Sequence, residues 1–155
     1  MTHPRDTIGS YDDIASAAVR TTSLDDFGGT AHEEGLRLLV DGLASPEAGL
    51  TPLGNGFHRR EVKSALVGRL LTQLRFNEHP EHVDVPVERP IFVVGLPRTG
   101  TTALHRLLHA DPRHQGLELW LTEYPQPRPP RETWEQDPIF SAMQVAFSEH
   151  HVENP

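Results

Sequence analysis

Length, composition and charge exclude several classes of protein before any motif is considered. The chain has 155 residues, enough for one ordinary domain. Its 14 Lys and Arg against 22 Asp and Glu give a net charge of −8, so it lacks the basic surface of a non-specific nucleic-acid binder. Without any Cys it has no disulfides, thiolate metal sites or cysteine nucleophile. No secretory signal or bilayer-spanning apolar run is visible, which predicts a cytoplasmic protein with no transmembrane segment.

The first part of the chain is predicted to be helical. Ser10 is typical of a helix N-cap, because acidic residues follow in the first turn and apolar residues recur at helical spacing. Ser23 predicts a short second helix, and residues 30–43 predict a third that opens with a capping box. Residues 51–56 are interpreted as a turn-rich link before a longer helix over 58–77. We interpret residues 1–89 as a helical N-terminal segment that carries no catalytic chemistry.

The pattern changes at Pro90. Residues 91–94 read Ile-Phe-Val-Val, a continuous β-branched and aromatic run that predicts a strand buried on both faces of a parallel sheet. A loop between Gly95 and Gly100 leads into a predicted helix that stops at Asp111-Pro112. The order strand, loop, helix indicates an α/β fold for residues 90–155.

The loop has the spacing of a phosphate-binding loop. Gly95 and Gly100 are five positions apart and Thr102 follows, as in the pattern G-x-x-x-x-G-K-[ST]. Such glycines let backbone N–H groups turn inward, and the helix that follows directs its positive end to the same point. Thr101 stands where a nucleoside-triphosphatase has lysine, and the nearest cation is Arg98. Hydrolysis of a nucleoside triphosphate is therefore disfavoured, while binding of phosphate or sulfate oxygens is expected.

The same residues resemble a known family. The loop reads Pro97-Arg98-Thr99-Gly100-Thr101-Thr102, and after an apolar strand it is similar to the 5′-phosphosulfate loop of sulfotransferases. The run from Pro90 to Pro112, and parts of the helical lead, resemble a sulfotransferase family abundant in mycobacteria and related actinobacteria. The resemblance implies a P-loop-like sulfotransferase fold, a parallel sheet flanked by helices, which would be incomplete here and preceded by the helical segment.

The resemblance also implies an activity and a set of residues. The family moves a sulfonate group from 3′-phosphoadenosine-5′-phosphosulfate to a hydroxyl or amine acceptor, without a metal. Arg98 would pair with the 5′-phosphate and sulfonate oxygens, which makes it the first catalytic candidate. The rest of the loop would donate backbone N–H groups and hydroxyls. The donor-binding residues implied are Pro97, Arg98, Thr99, Gly100, Thr101 and Thr102. The acceptor would be a small molecule, a lipid or a sugar.

Transfer to a hydroxyl needs a general base close to the acceptor. Glu118 is the first candidate, because it follows the loop at about the spacing at which tyrosylprotein sulfotransferases carry their acidic base. Its apolar neighbours would raise its pKa by desolvation. Glu123 is the second candidate. Related actinobacterial sequences place Glu directly after the Trp, where this chain has Leu121.

Other polar and aromatic residues are interpreted as structural. His105 and His109 have metal-ligand spacing, but Arg106 follows the first His where a zinc protease has Glu, so we predict a half-exposed helix face and no metal. Core packing is expected for the aromatic side chains in the last third of the chain. These are Trp120, Tyr124 and Trp134.

One strand cannot form a sheet alone, and no convincing second strand is found in the sequence. The chain therefore resembles the N-terminal part of an enzyme whose 3′-phosphate-binding residues would lie beyond position 155, and by itself it would be weakly active or inactive. The alternative is a non-catalytic binding module that keeps the loop. A nucleoside-triphosphate-using P-loop protein is a third, weaker alternative.

Overall fold

The computed structural model describes residues 7–96 and 98–153, with side chains through position 145 and at position 148. The chain is mainly helical, and short 3₁₀ turns lie at Pro46–Ala48, Pro80–Asp84 and Arg131–Gln136. The α-helices of the described part are α1 (Tyr11–Thr22), α2 (Glu33–Ala44), α3 (Pro52–Glu78), α4 (Thr101–His109), α5 (Leu119–Glu123) and α6 (Pro138–Glu153).

Local sequence signals decide where α1 begins and ends. The Ser10 hydroxyl accepts a hydrogen bond from the Asp13 backbone N–H at 3.1 Å, and the Asp13 carboxylate accepts one from the Ser10 N–H at 3.2 Å. This capping box confirms the predicted start. Ser23 ends α1 in the left-handed region, at φ 58°. The short helix predicted to begin there is therefore wrong, because Ser23 closes one helix instead of opening another. Likewise, α2 forms, but its N-cap is His32 and no side chain caps it.

The helix α3 is longer than the sequence predicted. It spans 27 residues, or about 40 Å at 1.5 Å per residue. Its N-cap is Thr51, whose hydroxyl accepts a hydrogen bond from the Gly54 N–H at 3.2 Å, and Pro52 occupies the first helical position. The prediction of a link at residues 51–56 is wrong, because the Thr-Pro start outweighs the glycines that follow it.

The main core lies between α1 and α3, with α2 against both. Apolar side chains at helical spacing on α1 and α3 point into it, as predicted for residues 14, 18, 62, 66 and 70. At about 1.5–3 kcal/mol for each fully buried large side chain, this packing is the main stabilising term of the helical segment. The buried residues of this core are Ile8, Tyr11, Ile14, Ala18, Val40, Val62, Leu66 and Leu70.

The predicted parallel sheet is not seen. Among residues 7–96 and 98–153 no strand forms, and positions 91–94 are extended without ladder pairing. Their apolar side chains are exposed: Ile91 by 58%, Phe92 by 82% and Val94 by 90%. A strand needs at least one hydrogen-bonded neighbour to form a ladder, and the described residues supply none. The expectation of a strand here is therefore corrected to an extended, uncovered segment.

A second, smaller cluster is aromatic. The ring centroids of Trp120 and Trp134 are 5.4 Å apart, and Phe140 lies 5.4 Å from Trp120 and 5.6 Å from Trp134. Both Trp side chains are buried, which confirms the predicted packing role. Tyr124 is 43% exposed, so the prediction that it packs in a core is wrong. This cluster joins α5, α6 and the 3₁₀ turn between them.

Candidate active site

The loop before α4 is a tight turn. The Thr99 hydroxyl donates a hydrogen bond to the Leu96 carbonyl at 2.6 Å, which closes the turn. Gly95 lies against the inside of this turn. A Cβ atom at Gly95 would stand 2.7 Å from Thr99 Oγ1 and 2.9 Å from Thr101 Cγ2, so any other residue there would force these two side chains to move. The first of the two spaced glycines, Gly95, is thus explained by steric crowding.

Two residues of the loop have a left-handed backbone. Gly100 has φ 85°, which costs glycine little. Arg98 has φ 68°, a conformation that costs a residue with a Cβ roughly 1–2 kcal/mol. Strain of this kind is concentrated at functional sites, where the surrounding structure maintains it. Pro97, the other residue of the predicted donor loop, lies outside the described residues.

The start of α4 has the character of an anion-binding site. Gly100 is the N-cap, and in the described part of the chain no side chain caps the first turn and no acidic residue lies in it. Thr101 and Thr102 are the first two helical residues, so their backbone N–H groups are among those that a helix leaves without an internal partner. The structure therefore brings Arg98, Thr99, Gly100, Thr101 and Thr102 together at one helix end.

Glu118, the first predicted base, takes part in a small polar network. Its Oε1 lies 2.9 Å from Nε2 of His109 and 3.5 Å from a terminal nitrogen of Arg128. The other ring nitrogen of His109, Nδ1, accepts a hydrogen bond from the Gly116 N–H at 2.8 Å. Arg128 also donates to the Gly116 carbonyl at 2.8 Å. The carboxylate is half-buried, with 26% of its side chain exposed.

Glu123, the second predicted base, lies elsewhere. It is exposed and lines a shallow cavity against α3, together with Glu61, Ser64 and Thr122. Among the described residues no hydrogen bond or ion pair joins Glu123 to the loop or to the Glu118 network. The two carboxylates are therefore separate features, and the structure does not bring Glu123 and Arg98 together.

The loop and Glu118 are at opposite ends of α4. Thr101 and His109 are eight residues apart, about 12 Å along the helix axis. Positions 101, 105 and 109 recur at four-residue spacing, so they share one face of α4. Consistent with this, the rings of His105 and His109 are parallel, with centroids 6.2 Å apart. The Glu118 network thus lies on the face that leads to the loop, with no direct contact to it in the described part of the chain.

Glu118 also borders a cavity of about 480 Å³ between α5 and α6. The buried Trp120 indole lines it, and its N–H has no hydrogen-bond partner among the described residues. Most of the cavity wall is apolar, and its polar side chains are Glu118, Gln144 and Ser148. The lining residues are Glu118, Leu119, Trp120, Phe140, Met143, Gln144 and Ser148.

Sequence reasoning missed three parts of the Glu118 network. His109 was interpreted only as part of a helix face, and Gly116 and Arg128 were given no role. Gly116 has no room for a side chain, because an added Cβ would collide with the His109 ring. No local pattern reveals these contacts, since they join positions 7 to 12 residues apart across a loop. A glycine two positions before a candidate base was the one available hint.

Two features are absent from the described residues. No helix there combines the length and apolar character that a bilayer crossing requires. In the same part of the chain, no group of three or more His, Asp or Glu side chains could hold a metal ion. His105 and His109 thus have no third ligand among these residues.

A glycine-bounded turn, an arginine and an open helix N-terminus are together typical of phosphate-binding loops. Comparison with known proteins indicates a particular family. Residues 90–155 match the sequence model of the Sulfotransferase family. This match confirms the resemblance to the sulfotransferase family that was noted in the loop.

Two solved structures are similar to nearly the whole chain. Sulfotransferase STF1 from Mycobacterium tuberculosis H37Rv is 52% identical over 97% of this chain, with a TM-score of 0.89. Sulfotransferase STF9 from Mycobacterium avium is 32% identical over 99% of it, with a TM-score of 0.79. The chain spans 41% of the STF1 chain and 38% of the STF9 chain, about two fifths of each. A search of curated protein sequences found no significant match.

Proposed function

We propose that this chain forms the donor-binding part of an enzyme that transfers a sulfonate group from 3′-phosphoadenosine-5′-phosphosulfate to a hydroxyl or amine acceptor. The observation that carries the proposal is the loop at residues 95–102, in a chain that matches the sulfotransferase family. There an exposed Arg98 stands in the chain just before Thr101 and Thr102, the first residues of α4, and no acidic residue lies in the first turn. This is the donor set that a phosphosulfate group requires.

Sulfonate transfer requires the loop to stabilise negative charge. In the transfer, the bond between sulfur and the bridging phosphate oxygen breaks, and a bond from sulfur to the acceptor oxygen or nitrogen forms. Negative charge then builds on the phosphate oxygens that leave. Arg98 and the backbone N–H groups would stabilise this charge, as oxyanion donors do in acyl transfer. In kinases Mg²⁺ contributes much of that field, whereas here we assign it to Arg98 and the helix end.

The acceptor proton needs a group to receive it, and of the two predicted carboxylates we propose Glu118. It lies on the helix face that leads to the loop, and it borders the cavity lined by Trp120 and Phe140. An apolar wall with a few polar groups is typical of small-molecule sites. Glu123 is less suitable because its cavity faces α3. We propose a small, lipid or sugar acceptor that places an apolar surface against the aromatic wall. The cytoplasmic location, like the absence of a nucleic-acid partner, stays a prediction.

The residues described here correspond to two fifths of STF1 and STF9. We propose that the rest of the donor site, including the groups that bind the 3′-phosphate, lies outside these 155 residues. The exposed apolar side chains at positions 91–94 support this, because a sheet neighbour would cover them. The 155-residue chain alone should therefore bind adenosine 3′,5′-bisphosphate weakly and transfer little sulfonate. Turnover by it at about 1 per second or more would refute this part of the proposal.

The decisive test of the function uses the complete product of the gene. Radiolabelled sulfonate transfer to a panel of hydroxyl acceptors is measured together with calorimetric binding of adenosine 3′,5′-bisphosphate. Arg98→Ala removes charge-assisted hydrogen bonds worth about 1.5–3 kcal/mol each, so turnover should fall about tenfold or more. Arg98→Lys should keep part of the activity, because a point charge remains while the planar fork is lost.

Arg60→Ala is the matched control for Arg98. Arg60 is an exposed arginine on α3, and its nearest carboxylate, Glu61, is 3.9 Å away. This variant should behave as the parent does. If Arg98→Ala also left turnover and nucleotide affinity within about twofold of the parent, the donor-loop assignment would be wrong. Tighter binding of ATP with Mg²⁺ than of the bisphosphate would instead favour a nucleoside-triphosphate-using protein.

A further inference from the structure

The side chain of His109 is held at both ring nitrogens. On one side the Gly116 backbone N–H donates to Nδ1 at 2.8 Å. On the other side Nε2 lies 2.9 Å from Oε1 of Glu118. About a third of the His109 side chain is exposed, so the ring is partly shielded from solvent. A histidine with two such contacts has a fixed ring orientation.

These contacts also fix which nitrogen carries the proton. A backbone N–H can only donate, so Nδ1 of His109 must be the lone-pair nitrogen. In the neutral ring the proton is then on Nε2, the nitrogen that lies 2.9 Å from Oε1 of Glu118. His109 has no free lone pair in this state, because Nδ1 is already occupied by Gly116. Of the two side chains, it is Glu118 that can accept a proton from a bound molecule.

Arg128 and Gly116 complete the arrangement. Arg128 contacts the same oxygen of Glu118 as His109 does, and it also binds the Gly116 carbonyl. The Arg128 guanidinium lies 5.2 Å from the centre of the Trp134 ring, so the buried aromatic cluster supports it. Both contacts to Glu118 use Oε1. Oε2 takes part in neither contact, and Glu118 borders the cavity.

We propose that His109 is a positioning residue that holds Glu118, through the 2.9 Å contact of its Nε2 with Oε1, in the orientation in which the carboxylate takes the acceptor proton. This rests on the proposed sulfonate transfer. It assigns the base to the carboxylate and the orienting role to the histidine. That is the reverse of the arrangement in a Ser-His-Asp triad, where the carboxylate orients a histidine base.

Two conservative substitutions separate the contacts of His109. Glutamine can place an N–H near the Nε2 position and so keep the contact with Glu118. Asparagine can place an oxygen near the Nδ1 position and so keep the bond from Gly116. We expect His109→Gln to keep kcat within about threefold of the parent. His109→Asn and His109→Ala should lower kcat about tenfold or more, part of the 10²–10⁴ that a general base contributes.

The assay measures kcat and bisphosphate affinity in the complete gene product. The affinity for the bisphosphate should stay within about twofold of the parent in every variant, because the donor loop lies at the opposite end of α4 from His109. The matched control is His79→Gln, which removes another histidine–carboxylate contact, the exposed His79–Glu81 pair at 3.2 Å, and should leave kcat unchanged. In a Glu118→Gln background the His109 substitutions should cost no further activity, since a positioning residue acts only through its partner.

The ring tautomer is read independently by long-range ¹H–¹⁵N NMR at neutral pH. Nδ1 of His109 should show the shift of an unprotonated nitrogen and Nε2 that of a protonated one. A proton on Nδ1, equal losses for Gln and Asn, or an undiminished His109→Ala effect in the Glu118→Gln background would each overturn the positioning role. If the parent transfers no sulfonate at all, the proposed function fails, and with it the catalytic meaning of the pair. The NMR result is independent of that outcome.

Discussion

Gly95→Ala tests whether the loop geometry is what binds the donor. The added methyl group would stand 2.7 Å from Thr99 Oγ1 and 2.9 Å from Thr101 Cγ2, both too close for carbon. To make room, Thr99 must rotate away from the Leu96 carbonyl, which removes a hydrogen bond worth about 1 kcal/mol. Thr101 must also move, and with it the first N–H group of α4. Together we expect a loss of about 1–2 kcal/mol, or a five- to thirtyfold rise in Kd.

The assay is isothermal titration of adenosine 3′,5′-bisphosphate into the complete gene product. Thermal unfolding should change little, because Gly95 is exposed and outside the helical core. Adding Thr101→Ser to Gly95→Ala removes the methyl group 2.9 Å away and should restore part of the affinity. The matched control is Gly42→Ala in α2, where a Cβ meets nothing within 4 Å. There we expect unchanged binding and about 0.5–1 kcal/mol of added stability.

A Kd for Gly95→Ala within twofold of the parent would refute the steric argument. It would mean that the turn between Leu96 and Thr99 is not the binding conformation. A loss of affinity that the second substitution does not relieve at all would mean that Thr101 is not the obstructing residue. Either result can be assigned without a structure of the variant, because each substitution removes or adds one methyl group.

Three more predictions concern the core, pH and metal ions. Leu70→Ala should lower the free energy of unfolding in urea by about 2–5 kcal/mol, because Leu70 is fully buried, whereas Leu53→Ala, at an 84% exposed position, should change it by less than about 0.5 kcal/mol. Burial, and then the charge of Arg69, lower the pKa of His32 below its ordinary 6.5. The contribution of His32 to stability is therefore present above pH 6.5 and declines as the pH falls towards the folded-state pKa. Between pH 7.5 and 5.5 the melting temperature of His32→Gln should therefore fall less steeply than that of the parent. Parallel curves for the two proteins would contradict this. Removing divalent ions with EDTA should leave bisphosphate affinity within about twofold, because the loop has Thr101 in place of the lysine of Mg²⁺-nucleotide enzymes, and a larger loss would count against a phosphosulfate loop.

Helix positions were largely predictable, because the signals that set them are local. Ser10 and Asp13 cap α1 within four residues of sequence, and the stripe of Val62, Leu66 and Leu70 on α3 follows from the helical repeat alone. The errors arose where two local signals compete. The glycines after Thr51 led to the prediction of a link at residues 51–56. In the structure, the Thr51 cap and Pro52 set the start of α3.

The sheet and the Glu118 network depend on contacts that no local pattern encodes. The run at residues 91–94 has every property of a buried strand, yet it is exposed, because a strand exists only where neighbouring strands pair with it. The loop was predictable, since its glycines and its arginine lie within eight residues and their steric roles are local.

His109 shows the opposite case. Its sequence spacing to His105 indicated a plain helix face, while the chain reversal after α4 brings Gly116 and Glu118 onto its two ring nitrogens. The sequence by itself therefore indicated the family, most of the helices and the glycine-bounded loop, because these depend on short-range signals. Only the tertiary structure decided which side chains surround the candidate base, because those contacts depend on how the segments on either side of the loop pack together.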